Sequence, residues 1–334
     1  MVGAPEAETQ NPKLRGIRRA GAVYGCSPTH SGTCKEIYAD RDEGNERRLN
    51  GSVLVPIEDK SNQFFGGTVV ASAKHDKLMM CAPQYKYFFT KFEVIEPVGA
   101  CFYLETGSTE AFELSSCRQD NQKHGRHRLG YGQCGFSAAV PSSGGRSFIG
   151  GPGMFYWQGG VFSQANGNYS DRLNSSYSPK EYDHDMLGYA TATGHFDGDE
   201  TQDALVLYTS TLKHITNLTD TSSSPQTGQY CGHSIAVTDL NKDGRDDIIT
   251  GCPFFTDYVT VVDAKTQERK PQYEVGKILV FMQTAPGVFS KPLVVIGDDQ
   301  WGRFGFSIAA AGDLNQDGYN GTPSLLPSPP SLQT

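Results

Sequence analysis

The sequence has no uncharged apolar stretch of about 18 residues, so no segment of it reads as a membrane-crossing helix. It also has no long basic run. With 37 acidic against 29 basic side chains the net charge is −8, which offers a nucleic-acid backbone no electrostatic footprint. Cys-x-x-Cys pairs are missing and no histidine stands at zinc spacing beside a cysteine, which argues against a structural zinc site. GxSxG and HExxH are missing too, and His124-Gly125-Arg126-His127, the one close histidine pair, lies in a polar loop rather than in a catalytic cluster. The opening Met1-Val2-Gly3-Ala4-Pro5 lacks the charged and apolar regions of a secretory leader. That predicts either a soluble chain or one that has lost both end segments.

What is plentiful points to strands. Among the 334 residues are 38 glycines, 18 phenylalanines and 16 tyrosines, a mixture suited to many short strands joined by tight turns. Eight cysteines fall in close pairs: Cys26 with Cys34, Cys81 with Cys101, Cys117 with Cys134, and Cys231 with Cys252. Local disulfides are expected, with reduced thiols as the alternative. Sequons at Asn50, Asn168, Asn174, Asn217 and Asn320 point the same way, toward the secretory pathway and N-glycans.

An internal repeat organises the chain. Its first half is an aromatic-Gly-aromatic signal: Phe65-Gly66-Gly67, Cys134-Gly135-Phe136, Leu187-Gly188-Tyr189, Cys231-Gly232-His233 and Phe304-Gly305-Phe306. The second half reads Gly3-Ala4-Pro5, Cys81-Ala82-Pro83, Gly151-Pro152-Gly153, a degraded Leu207-Tyr208-Thr209, and Gly251-Cys252-Pro253. Successive units stand about 44 to 73 residues apart, the scale of a four-stranded propeller blade with variable loops. Glycine beside the aromatic lets neighbouring backbones approach closely, and the aromatic fills the space between blades. One propeller domain over residues 1–320 is expected. Beyond it, residues 321–334 are a Pro/Ser/Leu tail that is expected to be disordered.

Three loops carry oxygen side chains at alternate positions. The fullest presents Asp239, Asn241, Asp243, the Arg245 carbonyl and Asp247, with Gly244 permitting the tight turn. Hard oxygen ligands in this number suit Ca²⁺ better than Zn²⁺ or Mg²⁺. An EF-hand would place a bidentate Glu at the twelfth position, where Thr250 stands, and would be flanked by helices rather than strands. In a second loop Asp197, Asp199, Thr201 and Asp203 keep the pattern while His195 replaces the first carboxylate, which predicts weaker binding if any. The third has Asp313, Asn315, Asp317 and the Tyr319 carbonyl, but Gly321 at its ninth position.

Together these features resemble the integrin alpha subunit propeller over Val2 to Asn320. The resemblance is specific at 96–102, in the Phe155-Tyr156-Trp157-Gln158-Gly159 stretch, and from Phe304 to Gly318. It implies an all-β, seven-bladed propeller fold with FG-GAP repeats, incomplete here at about five blades, and lacking an inserted ligand-binding domain. It further implies an extracellular cell-adhesion receptor subunit, not an enzyme, that binds Ca²⁺ and pairs with an integrin beta subunit. Phe136, Tyr189, His233 and Phe306 match the rim that cages a cationic side chain of the beta subunit. Tyr156 and Asp183 match two positions that meet an extracellular-matrix ligand. The other acidic ligand position falls on Leu129, a departure that argues against Arg-Gly-Asp recognition and leaves laminin-like or other matrix ligands open. The competing reading is the accessory propeller of a secreted enzyme, as in glycosylphosphatidylinositol-specific phospholipase. A sugar-binding propeller would have more equal blades.

Overall fold

The computed structural model describes residues 1–27, 29, 32–42, 44–45, 47–72, 76–89, 94–105, 107–108, 110–118, 129–141, 145–165, 171–196, 203–204, 212–218, 226–263 and 266–321. Among these, almost every regular element is a short antiparallel strand; the exceptions are three single turns of helix. No helix among the described residues is long and apolar enough to cross a membrane. The chain divides into two compact units, residues 1–191 with 210–213, and residues 192–209 with 214–334.

In the first unit the repeat builds three sheets. Val2–Ala4, Ala22–Cys26 and Cys34–Glu36 form one. Thr68–Ala71, Lys77–Ala82, Ala100–Glu105 and Ala111–Leu114 form the next, and Ser137–Ala139, Arg146–Gly150, Val161–Ala165 and Arg172–Asn174 the third. In the second unit Ser234–Thr238, Asp247–Cys252, Lys277–Phe281 and Leu293–Ile296 form a four-stranded sheet. Each strand pairs with its successor once inserted hairpins such as Asp257–Asp263 with Thr266–Gln272 are set aside, which is the topology of a propeller blade. Inner strands are apolar throughout because both faces are covered: Leu78 to Ala82 is buried without a break. Met79, Met80, Phe102, Tyr103, Ile149 and Phe162 form the core of the first unit, and Phe196, Ile248, Leu279 and Phe281 that of the second.

The two halves of the repeat meet at backbone contacts between a sheet and the next aromatic-Gly turn. A Cβ on Gly251 would lie 1.9 Å from the Gly305 carbonyl oxygen, and one on Gly3 2.0 Å from that of Gly66. In the third repeat the glycine in this place is Gly150, not Gly151. Gly150 pairs with Ser137 as Gly251 pairs with Ser234, and its Cβ would meet the Gly188 oxygen at 2.2 Å. The Gly151-Pro152-Gly153 assignment is therefore one residue late, because two adjacent glycines fit the pattern and only strand register separates them. Gly251→Ala is expected to destabilise the chain by about 1–3 kcal/mol by forcing the sheet away from the Phe304-Gly305 turn, read as a fall in thermal midpoint. An unchanged midpoint would show that the sheet does not close on this contact.

All four disulfides form in the expected pairs. Cys26 with Cys34 and Cys81 with Cys101 are cross-strand partners, whereas Cys231–Cys252 ties an aromatic-Gly turn to its own sheet. Gly321, the first residue past the expected domain end, pairs with Gly312; residues 322–334 of the tail lie outside the described residues.

Candidate metal loops and exposed aromatic surfaces

The 239–247 loop joins two paired strands, with Thr238 opposite Asp247, and has no flanking helix, unlike an EF-hand. Its side chains wrap backbone N–H groups. Gly244 N donates to Asp239 Oδ2 at 2.9 Å, Asp243 N to Asn241 Oδ1 at 3.0 Å, and Arg245 N to Asp243 Oδ1 at 2.9 Å. Asp247 is fully buried and accepts from Leu240 N and from Gln283 N, both at 2.9 Å. Burial pushes its carboxyl above the usual range. The two N–H groups pull it down, and the charges of Asp243 and Asp239 push it up again. One oxygen, Asp239 Oδ1, is buried without a hydrogen-bond partner. An orphaned carboxylate oxygen in a loop whose candidate ligands are all oxygens fits a hard divalent cation. Among the described residues no three His, Cys, Asp or Glu side chains close on one point. Held by the loop, Ca²⁺ would supply charge neutralisation, with Asp239, Asn241, Asp243, Asp247 and the Arg245 carbonyl as its holders.

The other two loops differ. His195 is tied to Asp246 of the neighbouring loop, its backbone N and its Nδ1 lying 2.9 and 3.1 Å from Asp246 Oδ2. Asp197, Asp199 and Thr201 fall outside the described residues, and of Asp203 only the backbone is described, paired with Gly194. The 313–321 loop repeats the first loop's turns: Gly318 N donates to Asp313 Oδ2 at 2.7 Å, and Tyr319 N to Asp317 Oδ1 at 2.8 Å. Where Asp247 stands in the first loop, Gly321 offers only backbone, donating to the Gly312 carbonyl at 2.8 Å.

The rim aromatics occur as two tilted ring pairs. In the first unit Phe136 and Tyr189 have ring centroids 4.7 Å apart, and in the second His233 and Phe306 are 4.4 Å apart. Phe136 and Phe306 are exposed, and His233 Nδ1 lies 3.1 Å from the Phe306 carbonyl oxygen. Each pair sits on an aromatic-Gly turn whose preceding residue is left-handed: Gln133, Met186, Tyr230 and Arg303 have φ of 48, 53, 56 and 52. Sequence reasoning did not anticipate Tyr230, Phe254, Tyr273 and Trp301 around the second pair. Tyr230 packs edge-on against Phe254, Trp301 stacks on Tyr273 at 5.7 Å, and Arg303 lies over Phe254. Their residue types differ from repeat to repeat, which hides them from a pattern search.

Tyr156 projects, 47% exposed, from a run of left-handed residues, Phe155, Tyr156 and Trp157. Behind it the buried Gln158 donates to Asp183 Oδ1 at 2.7 Å and to the carbonyls of Ser178 and Pro179, and accepts from Ser178 N. Trp157 stacks on His184, completing an exposed aromatic patch with Tyr131. Leu129 is buried in the core and presents nothing to solvent. Of the sequons, Asn174 and Asn217 are exposed, Asn320 is half-buried, and Asn168 falls outside the described residues; only the backbone of Asn50, at a hairpin end, is described.

The sheet topology and the glycine-to-glycine closure define an FG-GAP repeat protein of partial β-propeller type, and residues 232–264 match the FG-GAP repeat. Integrin alpha pat-2 of Caenorhabditis briggsae is 64% identical over 335 residues, covering 96% of this chain and 27% of that protein. Integrin alpha pat-2 of Caenorhabditis elegans is 63% identical with the same coverage, and integrin alpha-8 of Mus musculus is 36% identical over 96% of this chain and 31% of its own length. The chain belongs with the integrin alpha subunits. It spans between a quarter and a third of the length of these relatives.

Proposed function

We propose that this chain is the ligand- and partner-facing part of a non-enzymatic cell-adhesion receptor subunit, displayed on the extracellular side of the plasma membrane. The reading is carried by 64% identity to an integrin alpha subunit along 96% of the chain. It is supported by the paired exposed aromatics, by the 239–247 loop and by four disulfides, which suit an oxidising compartment. An integrin beta subunit docks on Phe136, Tyr189, His233 and Phe306, where a cationic side chain against an aromatic ring gains a desolvated cation–π contact. A matrix protein meets Tyr156 and Asp183, with no carboxylate at Leu129 to share the work. Ca²⁺ in the 239–247 loop stiffens the hairpin, and Asn174 and Asn217 carry N-glycans.

Co-expression of an integrin alpha subunit containing this chain with an integrin beta subunit tests the docking. Phe136→Ala with Tyr189→Ala is expected to lower heterodimer recovery at least roughly ten-fold, the effect of losing a central aromatic anchor. Wild-type recovery would remove these residues from the interface.

A further inference from the structure

The 313–321 loop contains two carboxylates, Asp313 and Asp317, and no basic residue. The neighbouring 239–247 loop has two cations and uses them differently. Arg245 Nη1 stays within its own loop, 3.2 Å from Asp243 Oδ2. Lys242, left-handed at φ 62, reaches out of it. Its Nζ stands 4.8 Å from the centroid of the Tyr319 ring and so near Gly318 that a Cβ there would lie 2.2 Å from it. Glycine at 318 thus leaves room for the ammonium as well as for the turn, where φ is 92.

We propose that Lys242 is the cation that serves the 313–321 loop, its ammonium set over the Tyr319 ring and beside Gly318. The chemistry is matched. A loop with two carboxylates and a backbone Gly321 at the ninth position lacks the charge to strip a divalent ion of its water, whereas one ammonium needs no such stripping and gains the face of Tyr319 as well. Hydrogen bonds from the Tyr319 N–H and Asn315 hold Asp317 below the usual carboxylate range, and Lys242 adds to this. The two loops are thereby joined, because the side chain packed on Tyr319 of one springs from the backbone of the other. This holds whether or not the 239–247 loop binds Ca²⁺.

Amide hydrogen exchange of the whole chain in EDTA tests the proposal independently of calcium. In Lys242→Met the Gly318 and Tyr319 amides are expected to exchange roughly ten-fold faster, as a turn that has lost its charge partner opens more often. In Lys242→Arg they should exchange near the wild-type rate. Amides of Ile249 and Val280, paired across the sheet core, serve as the check that each variant is folded. Unchanged exchange in Lys242→Met overturns the proposal, as does equal acceleration in Lys242→Arg, which would make shape rather than charge responsible. Calcium titration gives a second reading: Asp313→Asn should leave the uptake of the wild-type chain unaltered. Loss of one bound ion in that variant would put calcium, not Lys242, in the loop.

Discussion

Asp239→Ala is expected to abolish calcium uptake by the 239–247 hairpin and, with it, the part of the thermal stability that calcium confers. The orphaned Oδ1 is the reason: it is the oxygen of the loop that is buried with nothing to accept from. Its partner oxygen caps the Gly244 N–H, so the variant also loses one turn hydrogen bond. A ligand present at a hundred times its dissociation constant stabilises the state that binds it by about 2.7 kcal/mol, and this increment should separate calcium from EDTA in the wild-type chain and vanish in the variant. Isothermal titration and scanning calorimetry measure both quantities. Titration heats identical in Asp239→Ala and wild type would mean that the loop is only a hydrogen-bonded turn. Asp247 should behave more severely, because it also accepts from Gln283 N outside the loop and its loss leaves that buried donor unpaired.

The second large effect is expected from Gln158→Leu. The side-chain amide of Gln158 is buried and serves four partners: Asp183 Oδ1, the carbonyls of Ser178 and Pro179, and Ser178 N. Leucine keeps the volume and strands all four, at a cost of about 1–3 kcal/mol for each group that stays buried. Asp183 and the left-handed turn carrying Tyr156 are then no longer held by one side chain. Matrix adhesion should fall more than roughly ten-fold while heterodimer recovery, which the proposed docking ties to Phe136 and Tyr189, stays near wild type. Adhesion at the wild-type level would detach the Tyr156 and Asp183 surface from ligand binding. A parallel loss of recovery would show that the substitution had unfolded the unit.

Much of this was legible beforehand. The five aromatic-Gly signals were readable by recurrence, and where the partner is a glycine a close backbone approach leaves no choice of residue: a Cβ at Gly251 or Gly3 would overlap a carbonyl oxygen. The metal-type loops were readable for a similar reason, since oxygen side chains at alternate positions around a glycine turn are local chemistry. The cysteine pairs lay near one another along the chain and proved to be near one another in space.

Other features depended on contacts that spacing does not encode. Gly21, Gly159 and Gly276 each abut the first residue of the next aromatic-Gly turn, Phe65, Leu187 and Phe304, but at varying distances along the sequence. No fixed period marks them. The residue before each aromatic-Gly pair is left-handed whether it is Phe64, Gln133, Met186, Tyr230 or Arg303, because the turn imposes the conformation and no residue type announces it. Gly150 and Gly151 were interchangeable until strand register chose between them.

Local order was written along the chain: all-β character, the repeat, the disulfide pairs and the acidic hairpins each follow from neighbours within a few residues or from a single recurring contact. The pairing of Lys242 with Tyr319, of His195 with Asp246, and of Gln158 with Asp183 was not, since each joins loops that meet only after the strands beneath them have paired. Side-chain composition set which chemistry could occur, and the folded backbone chose which groups would stand within reach of one another.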